Sequence, residues 1–110
     1  MSTDKETEQD IRQMQMLEQK MQQYLQQKQQ YQSHIIEINS ALRELEQGKE
    51  SYKIIGNIML KRKNKDLIKE LEEKKEIFEL RIKTIEKQEE KTTKQSKELQ
   101  QEVMKKMKKE

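Results

Sequence analysis

The chain has 110 residues, 41% of them charged and 30% hydrophobic, with no Trp, Cys or Pro and a single Phe. So polar a composition cannot fill an ordinary globular core, and it leaves two classes, a disordered chain or a long-helix coiled coil. The absence of Cys excludes a disulfide scaffold or thiolate metal site; the net charge of +3, split between an acidic stretch (1–47, five basic and eight acidic residues) and a basic one (48–110, nineteen and thirteen), is too small to call for nucleic acid.

The first segment, Met1-Ser2-Thr3-Asp4-Lys5-Glu6, carries no apolar stretch of the kind found in a secretory leader. No run approaches the roughly 20 apolar residues that span a bilayer, so a cytoplasmic chain without a membrane segment is expected. A helix is predicted over 3–47. With a at Met14, Met21, Lys28, Ile35 and Leu42, d falls on Leu17, Tyr24, Tyr31, Ile38 and Leu45. Only Lys28 breaks the apolar or aromatic character of that seam, and disorder does not produce such regularity. Thr3 and Glu6 have capping-box spacing, Asp4 suits the positive end of the helix dipole, and Gly48 stands where a helix-ending glycine would.

A β-hairpin is predicted over 50–62. Tyr52, Ile54, Ile55 and Ile58 favour strand, and Gly56-Asn57 supplies a two-residue turn that pairs Ile55 with Ile58 and Ile54 with Met59. Apolar residues fall on both faces of this hairpin, through Met59 and Leu60. A lone two-stranded hairpin is marginal in water, so other strands must cover it.

A second helix is predicted over 66–109, capped by Asn64 or Asp66. Its seam has a at Ile68, Lys75, Ile82, Glu89, Ser96 and Val103, and d at Leu71, Phe78, Ile85, Thr92, Leu99 and Lys106. Lys105, Lys106, Lys108 and Lys109 suit the negative end of the helix dipole.

Folding the helices antiparallel about the hairpin places every a opposite a d whose residue number completes a sum of 113. Near the hairpin these layers are aliphatic, as in Leu45–Ile68 and Leu42–Leu71. Toward the far ends Met21 meets Thr92 and Leu17 meets Ser96, so part of the roughly 1.5–3 kcal/mol per buried apolar side chain is lost. Looser tips that leave Met14 and Leu17 accessible are therefore expected, about 60 Å along each helix from the hairpin. The candidate contact residues there are Ile11, Met14, Met16, Leu17, Leu99, Val103, Met104 and Met107. The heptad favours core for Met14, Met21 and Leu99, and exposure for the off-seam Met16, Met104 and Met107. Methionine is flexible and polarizable, which suits contact with varied apolar partners.

Other features point to no chemistry. Lys28 either fixes register, with Glu89 one turn on as its acceptor, or snorkels. Tyr24 could bond Glu89 through its phenol, or simply be an amphipathic core ring. The run Lys61-Arg62-Lys63-Asn64-Lys65 lacks interleaved aromatics and reads as a solvated loop. His34, the only histidine, has no second ligand for a metal. No phosphate loop or nucleophile elbow occurs, and no cofactor or catalytic residue is expected.

The string Tyr52-Lys53-Ile54-Ile55-Gly56-Asn57-Ile58-Met59-Leu60-Lys61, followed by Asp66-Leu67, Glu70-Leu71 and Leu80-Arg81-Ile82-Lys83-Thr84-Ile85-Glu86-Lys87-Gln88-Glu89-Glu90, resembles the prefoldin β-type subunit in its archaeal form. That resemblance implies one mainly α domain over 1–110, a long antiparallel two-helix coiled coil whose central hairpin enters an intersubunit β-barrel. It implies a hetero-hexamer of two α-type and four β-type subunits, assembled through Tyr52, Ile54, Ile55, Gly56, Asn57, Ile58, Met59 and Leu60. It further implies an ATP-independent holdase that takes non-native proteins at the coiled-coil tips and delivers them to a group II chaperonin, with neither nucleic acid nor membrane as partner. The competing reading is a structural coiled-coil adaptor without client binding. An eleven-residue hairpin apolar on both faces speaks against it, because a mere turn needs two to five residues. An adaptor would also want firm seams at its ends.

Overall fold

The computed structural model describes residues 2–108, with side chains from residue 5 onward. Four elements follow one another: helix α1 (Ser2–Glu46), strand β1 (Ser51–Ile55), strand β2 (Ile58–Arg62) and helix α2 (Asn64–Lys108). The chain is therefore mainly α, two 45-residue helices with a β-hairpin between them. The cap expected from the Thr3 and Asp4 side chains, and the end of the second helix at Lys109, lie outside the described residues.

Helix α1 ends because Gly48 turns left-handed, with φ of 79°. Its N–H donates to the Leu45 carbonyl at 3.1 Å, satisfying one of the carbonyls that a helix C-terminus leaves free. Helix α2 begins two residues earlier than the predicted 66. The Lys63 carbonyl accepts the Leu67 N–H at 3.2 Å and the Asp66 N–H at 3.1 Å, which makes Lys63 the backbone cap. Asp66 then sits in the first turn, where the helix dipole favours a carboxylate. Asn64, one of the two expected caps, turns its amide away from α2. The run 61–65, expected as a loop, instead spans the end of β2 and the start of α2, and only Lys63 lies between them.

The hairpin register pairs Ile55 with Ile58, Ile54 with Met59, Lys53 with Leu60, Tyr52 with Lys61 and Ser51 with Arg62. Gly56 has φ of 60°, and no non-glycine residue takes positive φ among the described residues. Glycine at the first turn position with ordinary φ at the second is the signature of a type II′ turn, whose twist matches the flanking strands.

The chain packs as two compact units, one made of residues up to 28 with those from 84 onward, the other of 29–83. In the 29–83 unit Ile38 and Leu45 are buried. Tyr31, Ile35, Leu42, Ile68, Leu71, Lys75, Phe78 and Ile82 are half-buried. Phe78, assigned to the layer of Ile35, lies against Tyr31 at 5.6 Å and stacks on His34 at 5.2 Å between centroids. A knob surrounded by several residues of the facing helix makes such contacts. The Arg81 guanidinium covers Tyr31 at 5.7 Å, a cation–π contact. In the other unit Leu17, Ile85, Thr92 and Val103 are buried. Every residue assigned to an a or d position is buried or half-buried, so the heptad describes which stripe of each helix faces its neighbour.

The hairpin is tied to α2 by Lys53 Nζ and Glu70 Oε1, 2.8 Å apart. The hydrogen bond from Lys53 holds the Glu70 carboxyl below the usual glutamate range, against the opposing effect of partial burial.

Two outcomes follow from these termini and ties. Gly48→Ala should destabilise the chain by about 1–2 kcal/mol in urea unfolding, because φ alone is at fault: an added Cβ meets no atom within 4 Å. For Glu70 the folded value is the depressed one. Its contribution is therefore complete above the ordinary glutamate range and is lost as pH falls through the lowered folded value. The thermal midpoint of Glu70→Gln should accordingly sit below wild type at neutral pH and converge with it on acidification. Midpoints that stay parallel would remove the Lys53–Glu70 tie from the account.

Candidate functional site

Alternation along the strands puts Ser51, Lys53 and Ile55 on one face of the hairpin with Arg62, Leu60 and Ile58. Tyr52 and Ile54 share the other face with Lys61 and Met59. The base of the first face is covered: Ser51 is buried, and Lys53 and Arg62 are half-buried. Toward the turn both faces are open. Tyr52, Ile54, Ile55, Ile58, Met59 and Leu60 are 46–67% exposed.

Backbone geometry adds to this surface. Ile55 and Ile58 flank a two-residue turn and form a hydrogen-bonded pair, so the neighbouring pairs Ile54–Met59 and Tyr52–Lys61 are non-hydrogen-bonded. Their N–H and C=O groups point outward from the two edges of a two-stranded sheet. Exposed apolar side chains and open strand edges therefore occupy the same few residues, the combination that pairs with further strands. On the Tyr52 face the phenol donates to Glu50 Oε2 at 3.0 Å, which raises the tyrosine above its usual range. Lys61 Nζ lies 3.5 Å from Glu50 Oε1.

The second candidate region belongs to the unit that contains both helix ends. Its seam is held partly by charge. Lys28 Nζ and Glu89 Oε1 are 2.8 Å apart, with both side chains largely covered, and that hydrogen bond pushes Lys28 above the ordinary lysine range despite desolvation. Glu89 is thus engaged by Lys28 rather than by the Tyr24 phenol. Lys106 Nζ lies 2.9 Å from Asp10 Oδ2 and 3.5 Å from Glu6 Oε2, and is likewise raised, chiefly by Asp10. Thr93 Oγ1 approaches the Met21 sulfur at 3.9 Å.

This arrangement sorts the eight expected contact residues. Leu17 and Val103, 8% and 9% exposed, are seam core and not accessible surface. The small partners Thr92 and Ser96 do not open the seam. Thr92 is itself 5% exposed, and Ser96 is half-buried. Met14 and Leu99 are half-buried. Ile11, Met16, Met104 and Met107 are 42–67% exposed. Ile11, Met14, Leu17 and Met21 line one groove with Thr93 and Ser96, while Leu99 borders a different groove beside Leu17.

Sequence reasoning passed over the Asp10–Lys106 pair. Extending the first heptad backward puts Thr7 at a and Asp10 at d, and that periodicity was the available signal. It also passed over the exposed Leu25, Ile36, Ile77 and Leu80, which lie outside the seam where a heptad makes no demand. Among the described residues no helix is long and apolar enough to cross a membrane.

Comparisons with known proteins bear on this geometry. The family model described as Prefoldin subunit matches residues 8–110. The chain is 42% identical over 94 residues to a prefoldin subunit beta of Archaeoglobus fulgidus, covering 83% of this chain and 81% of that protein. It is 36% identical over 89 residues to a prefoldin subunit beta of Thermococcus onnurineus, covering 78% and 77%. The crystal structure of the prefoldin beta subunit from Thermococcus strain KS-1 superposes with a TM-score of 0.83 at 30% identity, covering 91% of this chain and 90% of that one. Two long helices around an open hairpin, matched over nearly their whole length in sequence and in fold, place the chain in the prefoldin family as a β-type subunit.

Proposed function

We propose that this chain is the β-type subunit of an ATP-independent chaperone, a holdase rather than an enzyme, acting in the cytoplasm as one functional domain over 1–110. One observation carries the reading. The hairpin leaves apolar side chains uncovered on both faces and strand edges unpaired along the same residues. Hairpins of other prefoldin subunits would supply the missing strands and close them into a barrel, in a hetero-hexamer of two α-type and four β-type chains. Burial of that surface is what makes such an assembly favourable, at roughly 25 cal/mol per Å² of apolar area.

Non-native proteins would be held at Ile11, Met16, Met104 and Met107, whose apolar side chains are open to solvent. Met14 and Leu99 would contribute from the groove walls, and Leu17 and Val103 would act only where the seam parts. The captured protein would then pass to a group II chaperonin. The buried Leu17 and Val103 favour the second reading, a coiled-coil adaptor, since a firm seam is what an adaptor needs. Co-expression with an α-type prefoldin subunit separates the two. A stable complex that suppresses aggregation without ATP supports the chaperone, and a monomer or homodimer without suppression supports the adaptor.

Two sets of variants localise the activity. Ile54→Asp with Met59→Asp would bury unpaired carboxylates at the subunit boundary, a cost of several kcal/mol. The complex with the α-type partner should be lost by native mass measurement while the chain's helicity is retained. An intact complex would remove the hairpin from assembly. Replacing Met16, Met104 and Met107 together with Ser should lower aggregation suppression severalfold at unchanged complex mass. Undiminished suppression would show that client contacts lie elsewhere.

A further inference from the structure

Five segments meet at the base of the hairpin, and one side chain, on the last of them, bonds to three of the others. Asn64 Nδ2 donates to the Lys49 carbonyl at 2.9 Å and to the Leu45 carbonyl at 3.3 Å. Its Oδ1 accepts the Ser51 hydroxyl at 2.7 Å, and that hydroxyl also lies 3.0 Å from the Arg62 carbonyl. Leu45 is in the last turn of α1, Lys49 is in the linker, Ser51 opens β1, Arg62 closes β2 and Asn64 opens α2. An asparagine amide offers two donor protons and one acceptor oxygen on a single plane, and here both nitrogen protons and the oxygen are used. No other single uncharged side chain except the longer glutamine carries that set.

The side chain does not serve the helix that Asn64 begins. Lys63, whose carbonyl accepts the first helical N–H, holds the cap position, so Asn64 is the first helical residue and its oxygen goes to Ser51 instead. We infer that Asn64, with the buried Ser51, is the positioning pair that sets the angle of the hairpin on the two helices, and that its purpose is assembly rather than helix formation. The inference rests on the reading of the hairpin as the assembly surface. Strands from separate chains pair only in register and within hydrogen-bond distance, so a hairpin free to swing on Lys63 and on residues 47–50 would meet its partners at a penalty. The Lys53–Glu70 pair also ties the hairpin to α2, but it is partly solvent-exposed and weaker for that reason.

The decisive variant is Asn64→Asp. It keeps the side-chain shape and is at least as favourable at a helix N-terminus, so α2 should persist. It exchanges both donors for a carboxylate that repels the Leu45 and Lys49 carbonyls. Spin labels at Asn57→Cys in the turn and Lys69→Cys on α2 should give a narrow distance distribution in the parent chain. Asn64→Asp and Ser51→Ala should broaden it at unchanged circular dichroism, and should weaken binding to an α-type prefoldin subunit by roughly tenfold, the scale of one lost buried hydrogen-bond partner. Distributions that stay narrow, or a broadened hairpin that binds with parental affinity, would overturn the inference. The Ile54→Asp, Met59→Asp chain is the control. If it binds the α-type subunit normally, the assembly reading fails, whereas the label distances still report on the positioning pair.

Discussion

Two helices side by side have no third layer to complete a core, so each can shield only its own a and d stripe. The consequence is visible in the best-covered side chains. Ile85 and Thr92 still keep 5% of their surface, and no large side chain of the described residues is wholly buried. A seam of this kind can be firm, but it leaves nothing over to cover the segment that joins the helices. The hairpin therefore faces solvent on both sides near its turn. Its exposure is a direct result of the helix-pair architecture, and the proposed pairing with other strands rests on it.

The seam itself mixes two kinds of interaction. In the 29–83 unit it is mostly aliphatic and aromatic, with Ile38 and Leu45 buried, and Phe78 stacked on His34 and tilted against Tyr31. In the unit holding the helix ends, apolar contacts at Leu17, Ile85 and Val103 alternate with the charged pairs Lys28–Glu89 and Asp10–Lys106. A charged pair in a partly covered seam adds little net stability, because desolvation offsets attraction. It is costly to mispair, however, so it discriminates among registers of the two helices. The polar character that suggested a loose seam thus belongs to a closed one.

Much of this was legible in residue order. Every residue that heptad spacing assigned to an a or d position proved buried or half-buried, because a 3.5-residue repeat needs only sequence to be read, although the assignment stopped short of Thr7 and Asp10. Gly56-Asn57 between two β-favouring runs specified the turn and hence the strand register, since a two-residue loop admits few geometries. The boundary at Asn64 was misjudged by two residues for a physical reason. Its amide bonds to carbonyls 15 and 19 residues away, and no local rule reports on partners that distant. The accessibility of Leu17 was misjudged likewise: Ser96, its layer partner, registers as polar in sequence but does not hold the seam open, and Leu17 is buried.

By itself, then, the sequence determined two heptad helices, a type of turn, a hairpin apolar on both faces and the family likeness that these carry. All are properties of short windows, in which periodicity and backbone preference act locally. Tertiary structure alone decided that the seam closes over Leu17, that Lys28 and Lys106 find Glu89 and Asp10, and that Asn64 joins the end of one helix to the hairpin base. Each of these depends on how near two helices come and which distant groups meet there. That distance is set by the summed volume of side chains across the seam, a quantity no single window contains.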